Sequence, residues 1–396
     1  MDAVYFQNRE KKSDPEKLWG RPFVFLNLAF FLVFSNVAFL YLYPLALDAM
    51  GSEHHVIGLV MGVFSCAAVI SRPFMGKMIV SRGEHWVFSM GIITILLASL
   101  GYILITTFGP AMLFIRVIHG FGFSAAVSAG FSLAAKTVHP DKRGEAFSII
   151  GASLMCAVAL APPLGELLIR QWGFETLYMA AAGSVPLAWL VSKGAFQPLS
   201  GFLHDEGKRS VKYVSLLKNR SFFFLLISTI IFAHCQATVP NFISLISSER
   251  GVPSGRFFLF SNIVAVLVLL TTGKLVDRFG KLFFMKLFYP VFSLGILLIP
   301  GMIGGVFHVV PAVLYGVGVA ILFSTYNALA ASHGTKSEKP AIMSLFTATY
   351  DTGFITGAIV SGWFAHMTSL EMLFWACGLF GFIGLFTVVF SPIKEE

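Results

Sequence analysis

Residues 23–47 read "FVFLNLAFFLVFSNVAFLYLYPLAL", a run of 25 positions without a charged side chain. At about 1.5 Å of rise per residue, a helix of that length exceeds the ~30 Å hydrocarbon core of a bilayer. Strands of an outer-membrane barrel would show strict alternation over segments of about 10 residues, and this run does not. With no water in the bilayer to satisfy its backbone, such a segment must bond internally. It therefore predicts a membrane-spanning helix.

The rest of the chain repeats the pattern. Of 396 residues, 56% are hydrophobic and 12% charged, against roughly a quarter charged in soluble domains. A soluble globular protein is excluded. Breaks at charge, glycine and proline predict helices over 22–49, 55–80, 86–108, 110–136, 144–170, 174–195, 221–247, 254–276, 282–302, 305–333, 340–367 and 370–391. The expected fold is all-α, with twelve transmembrane helices. The first 21 residues are polar and hold no apolar core, so they read as a tail and not as a cleaved signal peptide. Cys66, Cys156, Cys235 and Cys377 each lie alone in an apolar span and read as packing residues.

The longest polar interruption, 192–220, divides the spans six and six. The expected organisation is a cytoplasmic tail at 1–21, a six-helix bundle at 22–195, a cytoplasmic linker at 196–220, a second bundle at 221–391 and a cytoplasmic tail at 392–396. All but four (Arg116, Arg170, Arg250 and Arg256) of the 28 basic residues fall in the tails, the linker and the loops on one side. The positive-inside rule then puts both termini in the cytoplasm. The net charge of +8 is spread over separate loops, which points to anionic lipid headgroups and not to nucleic acid. An offset of 196 to 197 residues superposes Gly76 on Gly273, Lys77 on Lys274, Gly83 on Gly280 and "ETLY" at 175 on "EMLF" at 371. Two six-span units of equal orientation are parallel repeats, which can rock around a central site.

Several motifs now fall at set places among the spans. Gly273, Asp277, Arg278 and Gly280 form G-x-x-x-D-R-x-G after span 8; Arg116, Gly120 and Gly122 form R-x-x-x-G-x-G in span 4; "APPLGE", 161–166, lies in span 5. Together they resemble the major facilitator superfamily over all twelve spans, and its drug-efflux-like bacterial branch in particular. The resemblance implies two pseudo-symmetric six-helix bundles, with spans 1, 4, 7 and 10 lining a cavity, and a transporter whose span-5 signature is that of proton-coupled antiporters. Departures are Val80 and Ser81 where the family has Asp and Arg, Ala161 for a glycine, and Glu166 as the last member. The resemblance also implies that Asp277 meets the positive start of a helix in the opposite half. By pseudo-symmetry that is the start of span 5, near Arg143. Such a latch forms only while the cytoplasmic side is closed; with Val80 in the equivalent loop, it has no strong counterpart.

Ionisable groups at membrane depth are functional candidates, because burying one costs about 2.5–3.5 kcal/mol by insertion scales. Asp351 lies about 11 residues, roughly 16 Å, into span 11 and is a candidate proton carrier. His119 and His234 belong to the residue type whose ordinary pKa, about 6.5, suits reversible protonation. Arg116 either ties span 4 to carbonyls of span 1 or binds an anionic group. Glu166, near the outer end of span 5, is an interfacial charge or a coupling residue. The candidate cavity residues are Asn36, Arg116, His119, His234, Gln236, Asn241, Tyr326 and Asn327, on spans 1, 4, 7 and 10. The proton-coupling candidates are Asp351, His234 and Glu166.

No H-E-x-x-H or paired Cys/His spacing suggests a metal, and no G-x-x-x-x-G-K-[ST] loop suggests ATP. No cofactor is expected. An enzyme would need a nucleophile, base or metal ligands on adjacent turns, and none are seen. The expected function is secondary active transport of a small organic, amphipathic molecule by alternating access, as proton-coupled efflux from the inner membrane of a bacterium, by a monomer. Import of a nutrient on the same fold, proton-coupled or facilitative, and a non-transporting receptor stay open.

Overall fold

A computed structural model describes residues 19–105, 107–138, 142–196, 216–302, 309–335, 338–390 and 393; for 143, 144, 273–275, 277 and 340 it describes the backbone alone. The described residues form twelve long helices and no strand. They are α1 (Arg21–Ala49), α2 (His54–Arg82), α3 (Glu84–Leu104), α4 (Pro110–Thr137), α5 (Arg143–Trp172) and α6 (Phe174–Ser192) in the first half. The second half holds α7 (Arg220–Glu249), α8 (Ser254–Phe279), α9 (Lys281–Leu297), α10 (Val309–Ser332), α11 (Lys339–Met367) and α12 (Leu370–Val389). Ten of them are long and apolar enough to cross a membrane. The others are α9, with 17 residues, and α11, which carries Asp351 and several threonines among its apolar residues.

Local chemistry sets the interruptions. α1 tightens into a 3₁₀ turn at Leu40–Leu42, because Pro44 has no N–H to give to the Leu40 carbonyl. α9 stops at Leu297, short of the expected 302, and passes into the turn Ile299–Gly301, where Pro300 cannot continue the ladder. Gly83 alone joins α2 to α3 and Gly280 alone joins α8 to α9, with φ of 82° and 93°. A Cβ disfavours that left-handed region, so both copies of the repeat keep glycine there.

The helix pairs of the first bundle recur in the second with each number raised by six: α3–α4 as α9–α10, α2–α4 as α8–α10, α1–α6 as α7–α12, and α1–α5 as α7–α11. The glycines of the span-4 motif show the cause. A Cβ on Gly120 would run into the Phe64 carbonyl of α2, and one on Gly122 into the Gly91 carbonyl of α3. In the second bundle Gly316 meets the Ser261 backbone of α8 and Gly318 meets Phe292 of α9. In lipid, helices associate through such close approach of small residues, since no hydrophobic force drives them together. Arg116 has no equivalent, because Ala312 occupies its place in α10.

Candidate functional site

Twelve crossings separate the start of α1 from the end of α12, so both lie at one face, here the terminal face. The bundles meet through two crosswise pairs, α2 with α11 and α5 with α8, and through the end of α1 against α7. Near the face opposite the termini these pairs touch backbone to backbone. A Cβ on Gly58 would lie 2.8 Å from the Gly362 Cα, and one on Gly255 would lie 2.6 Å from the Pro163 Cα. Pro163 belongs to the glycine and proline signature of span 5, which therefore sits at the inter-bundle crossing. Beside it Tyr41 of α1 stacks on Phe258 of α8, ring centroids 5.7 Å apart and planes within 6°.

Glu166 lies at this crossing. Its Oε2 accepts the N–H of Gly255 at 2.9 Å, the second residue of α8. The first N–H groups of a helix have no partner of their own and carry the positive end of its dipole. A carboxylate from the first bundle thus caps a helix of the second. Arg170, one turn on, approaches the other oxygen at 3.5 Å. Expected as an interfacial charge or a coupling residue, Glu166 is placed as an inter-bundle tie.

Toward the terminal face, the next polar link between α2 and α11 is an ion pair of Arg72 Nη1 with Asp351 Oδ2. Asp351 is 9% exposed. Beyond it Lys77 and Val80 of α2, and Ser344, Thr347 and Ala348 of α11, are exposed. From these contacts and exposures we read the bundles as closed on the face opposite the termini and parted toward the terminal face, with the Arg72–Asp351 pair at the head of the cleft. Arg72, counted in the sequence with the charges of the following loop, lies ten residues inside α2 from Arg82. Its position within the apolar run of span 2, next to Pro73, is the signal that could have singled it out.

Next to Asp351, Tyr350 gathers the aromatic side chains of the second bundle. Its ring lies 5.1 to 6.5 Å from those of Phe232, Phe323, Phe346 and Phe354. Its hydroxyl donates to Gln236 Oε1 at 2.7 Å, and the Gln236 backbone carbonyl accepts from Tyr315 at 2.9 Å. The wall so made is apolar with a few fixed polar groups, as small-molecule sites usually are. Gln236 had been expected there; Tyr350 had not. His234, two residues before Gln236 on α7, faces α11, with Nδ1 3.2 Å from Thr356 Oγ1. Asn241 and Asn327 donate to the carbonyls of Ala237 and Phe323 on their own helices, at 2.7 and 2.8 Å.

Three other expected cavity residues lie inside single bundles. Asn36 and His119 are 0% exposed. Asn36 Nδ2 donates to Ser99 Oγ at 2.9 Å and to the Ala181 carbonyl at 2.8 Å. Its Oδ1 lies 2.9 Å from His119 Nε2, and His119 Nδ1 lies 3.1 Å from the Tyr102 hydroxyl. A neutral imidazole protonated at Nε2 satisfies both contacts, so α1, α3, α4 and α6 are bound by one closed network. The second bundle has its own version. Tyr326, 0% exposed, bonds to Ser228 Oγ and, at 3.0 Å, to Tyr289, tying α7, α9 and α10.

Arg116 is 2% exposed. Its guanidinium carbon lies 4.6 Å from the Tyr43 ring centroid and 5.6 Å from that of Tyr102, and Nη2 donates to Met61 Sδ. Cation–π contact with aromatic faces is a favourable setting for a desolvated guanidinium. Among the described residues its Nε has no hydrogen-bond partner, and neither does the Tyr178 hydroxyl. The side chains of Asp277 and Arg143, expected to form the latch, lie outside the described residues; the Gly273 backbone lies in the last turns of α8, and Arg278 and Gly280 follow at its end.

Comparison with known proteins agrees with this architecture. A profile of the Major Facilitator Superfamily matches residues 24–351. An uncharacterized MFS-type transporter of Methanocaldococcus jannaschii is 23% identical over 359 residues, covering 88% of this chain and 90% of that one. The staphylopine export protein of Staphylococcus aureus is 22% identical over 398 residues, covering 90% and 93%. The crystal structure of the nucleoside transporter NupG superposes with a TM-score of 0.76 at 16% identity, covering 93% and 98%. With its paired six-helix bundles and their crosswise contacts, this chain belongs to the Major Facilitator Superfamily and is a membrane transporter, not an enzyme.

Proposed function

We propose that this transporter exports a small organic, amphipathic molecule in exchange for protons, by alternating access, as a monomer in the bacterial cytoplasmic membrane with both termini in the cytoplasm. The observation that carries the reading is the Arg72–Asp351 pair. It is a carboxylate at membrane depth, shared between the two bundles, at the head of the cleft. A proton on Asp351 removes the charge that holds Arg72 and frees α2 from α11 at that point; loss of the proton lets the pair form again. A proton thereby acts on the equilibrium between the two open forms through its unequal affinity for them. His234 lies on the neighbouring helix as a secondary proton site, whereas Arg116, packed on Tyr43, Tyr102 and Met61 inside the first bundle, is assigned to holding that bundle together.

The solute class follows from the wall around Tyr350, where rings outnumber polar groups. Export is supported by the span-5 signature and by the export function named for the Staphylococcus aureus relative. With the termini cytoplasmic, the cleft described above opens to the cytoplasm, the side on which an exporter loads. In the opposite form, Asp277 caps the start of α5, a counterpart at the terminal face of the Glu166 tie.

The test uses purified protein in proteoliposomes. Compounds from a metabolite and drug library that raise its melting temperature are assayed for flux under an imposed pH gradient. Asp351→Asn should abolish gradient-driven flux and retain substrate counterflow. Equal gradient-driven flux by mutant and wild type would refute the coupling role. Movement of substrate in the same direction as protons would refute export by exchange and make the chain an importer.

A further inference from the structure

The geometry points to a binding site for a transition-metal ion, of the zinc class, formed by Glu53, His55 and His366 across the two bundles at the closed face. Glu53 immediately precedes α2 and His55 is its second residue, whereas His366 stands one residue from the end of α11. One ligand atom from each side chain lies within 4.8 Å of the others. His55 Nδ1 is 3.2 Å and His366 Nε2 is 3.6 Å from the same oxygen, Glu53 Oε2. With zinc–nitrogen and zinc–oxygen bonds of about 2.0–2.1 Å, tetrahedral ligands stand about 3.3 Å apart, so the group already has nearly the size of a coordination shell. Two imidazoles and a carboxylate with a fourth position open to water are a donor set that zinc accepts. The rings are also held in place: the His55 and His366 centroids lie 4.3 Å apart, and Trp363 packs against His55 at 5.0 Å.

Two further observations favour a ligand. His55 Nδ1 is buried and makes no hydrogen bond of acceptable geometry, despite its closeness to Glu53. The cluster also borders a cavity of about 450 Å³ that includes Asp48, Ser52 and His54, through which an ion can enter from the aqueous phase. Sequence spacing gave no hint of this site, because His366 lies more than 300 residues from Glu53 and His55 in the chain.

The location determines the consequence. Just inward of the triad, Gly58 and Gly362 bring α2 and α11 into backbone contact, so the ligands converge only while this face is shut. When it opens, His366 leaves with the second bundle. An ion bound by all three ligands therefore selects the closed form. At a concentration 100 times its dissociation constant it raises the closed-to-open ratio about 100-fold if the open form does not bind it. The site is thus an inhibitory one: the ion arrests the transport cycle with the cleft open at the terminal face. Ion binding here depends on neither proton coupling nor transport direction.

The experiment uses full-length protein purified with a tag free of histidine, stripped with EDTA and titrated with zinc chloride by calorimetry. Spin labels at Gln171 and Glu249, one on each bundle at this face, report separation by pulsed electron resonance. One ion per chain should bind, with at least a tenfold loss of affinity in His55→Ala and in His366→Ala and no loss in His54→Ala. Zinc should narrow the label distances to the closed population in wild type and leave them unchanged in His366→Ala. Unaltered affinity in His366→Ala would overturn the bridging site; binding without a change in the distances would overturn the gating role. Should His366→Ala fold poorly in EDTA, His366→Gln and Glu53→Gln give the same readings.

Discussion

Replacing Glu166 by Gln tests whether a single carboxylate biases which face of the transporter is open. The side chain is 15% exposed and accepts the Gly255 N–H at 2.9 Å within the first turn of α8. Glutamine keeps the shape and an acceptor oxygen but loses the charge. A charged acceptor makes hydrogen bonds roughly twice as strong as a neutral one, and a carboxylate at a helix N-terminus contributes about 0.3–1 kcal/mol, rising to ~2 kcal/mol when partly buried. The exposed i,i+4 contact with Arg170 adds only about 0.3–0.5 kcal/mol. The expected loss is about 1–2 kcal/mol, borne only by the form closed on this face. The ratio of closed to open molecules should therefore fall roughly 5- to 30-fold. Pulsed electron resonance between labels at Gln171 and Glu249 would show a longer distance gaining population in Glu166→Gln, and little change in Arg170→Ala. Identical distance distributions in wild type and Glu166→Gln would refute the reasoning, because the tie would then contribute equally to both forms or to neither.

Other substitutions probe the remaining parts. Gly58→Leu places a side chain where the Gly362 backbone lies; it should hold this face open, abolish transport and lengthen the same label distance without lowering the yield of folded protein. Asn36→Ala removes three hydrogen bonds from a buried network; with about 1–3 kcal/mol lost per unsatisfied buried group, the melting temperature should fall while transport per folded molecule persists. Asp277→Asn should impair vesicle transport more than any single substitution in 77–84, and equal flux by mutant and wild type would dismiss the latch. Arg72→Gln should mimic Asp351→Asn in losing gradient-driven flux, and a mutant in which only one of the two matters would separate the carboxylate from its partner.

Much of the fold was legible residue by residue. The twelve spans followed from apolar length, and their ends from glycine and proline, as at Gly83 and Gly280. The repeat predicted two six-span units of equal orientation, and the glycines at 120 and 316 meet equivalent neighbours in them. The site was legible only in part. Asp351 was identified by its depth, yet depth alone did not distinguish a residue facing the cleft from one inside a bundle. Asn36, His119 and Tyr326 are polar and central like Gln236, but each points into its own bundle. Uniformly apolar helices have no polar face that reveals which side turns toward a partner.

The amino-acid sequence by itself determined that the chain lies in a bilayer, as twelve helices in two related halves, because hydrophobic transfer and backbone satisfaction act on each segment separately. Which groups meet was decided by the tertiary structure alone. Arg72 and Asp351 are 279 residues apart, and Glu166 and Gly255 are 89 apart. Those pairs exist only where α2 crosses α11 and α5 crosses α8. The crossings depend on how two bundles lean against one another, a relation that no local pattern encodes and that alternating access requires to change.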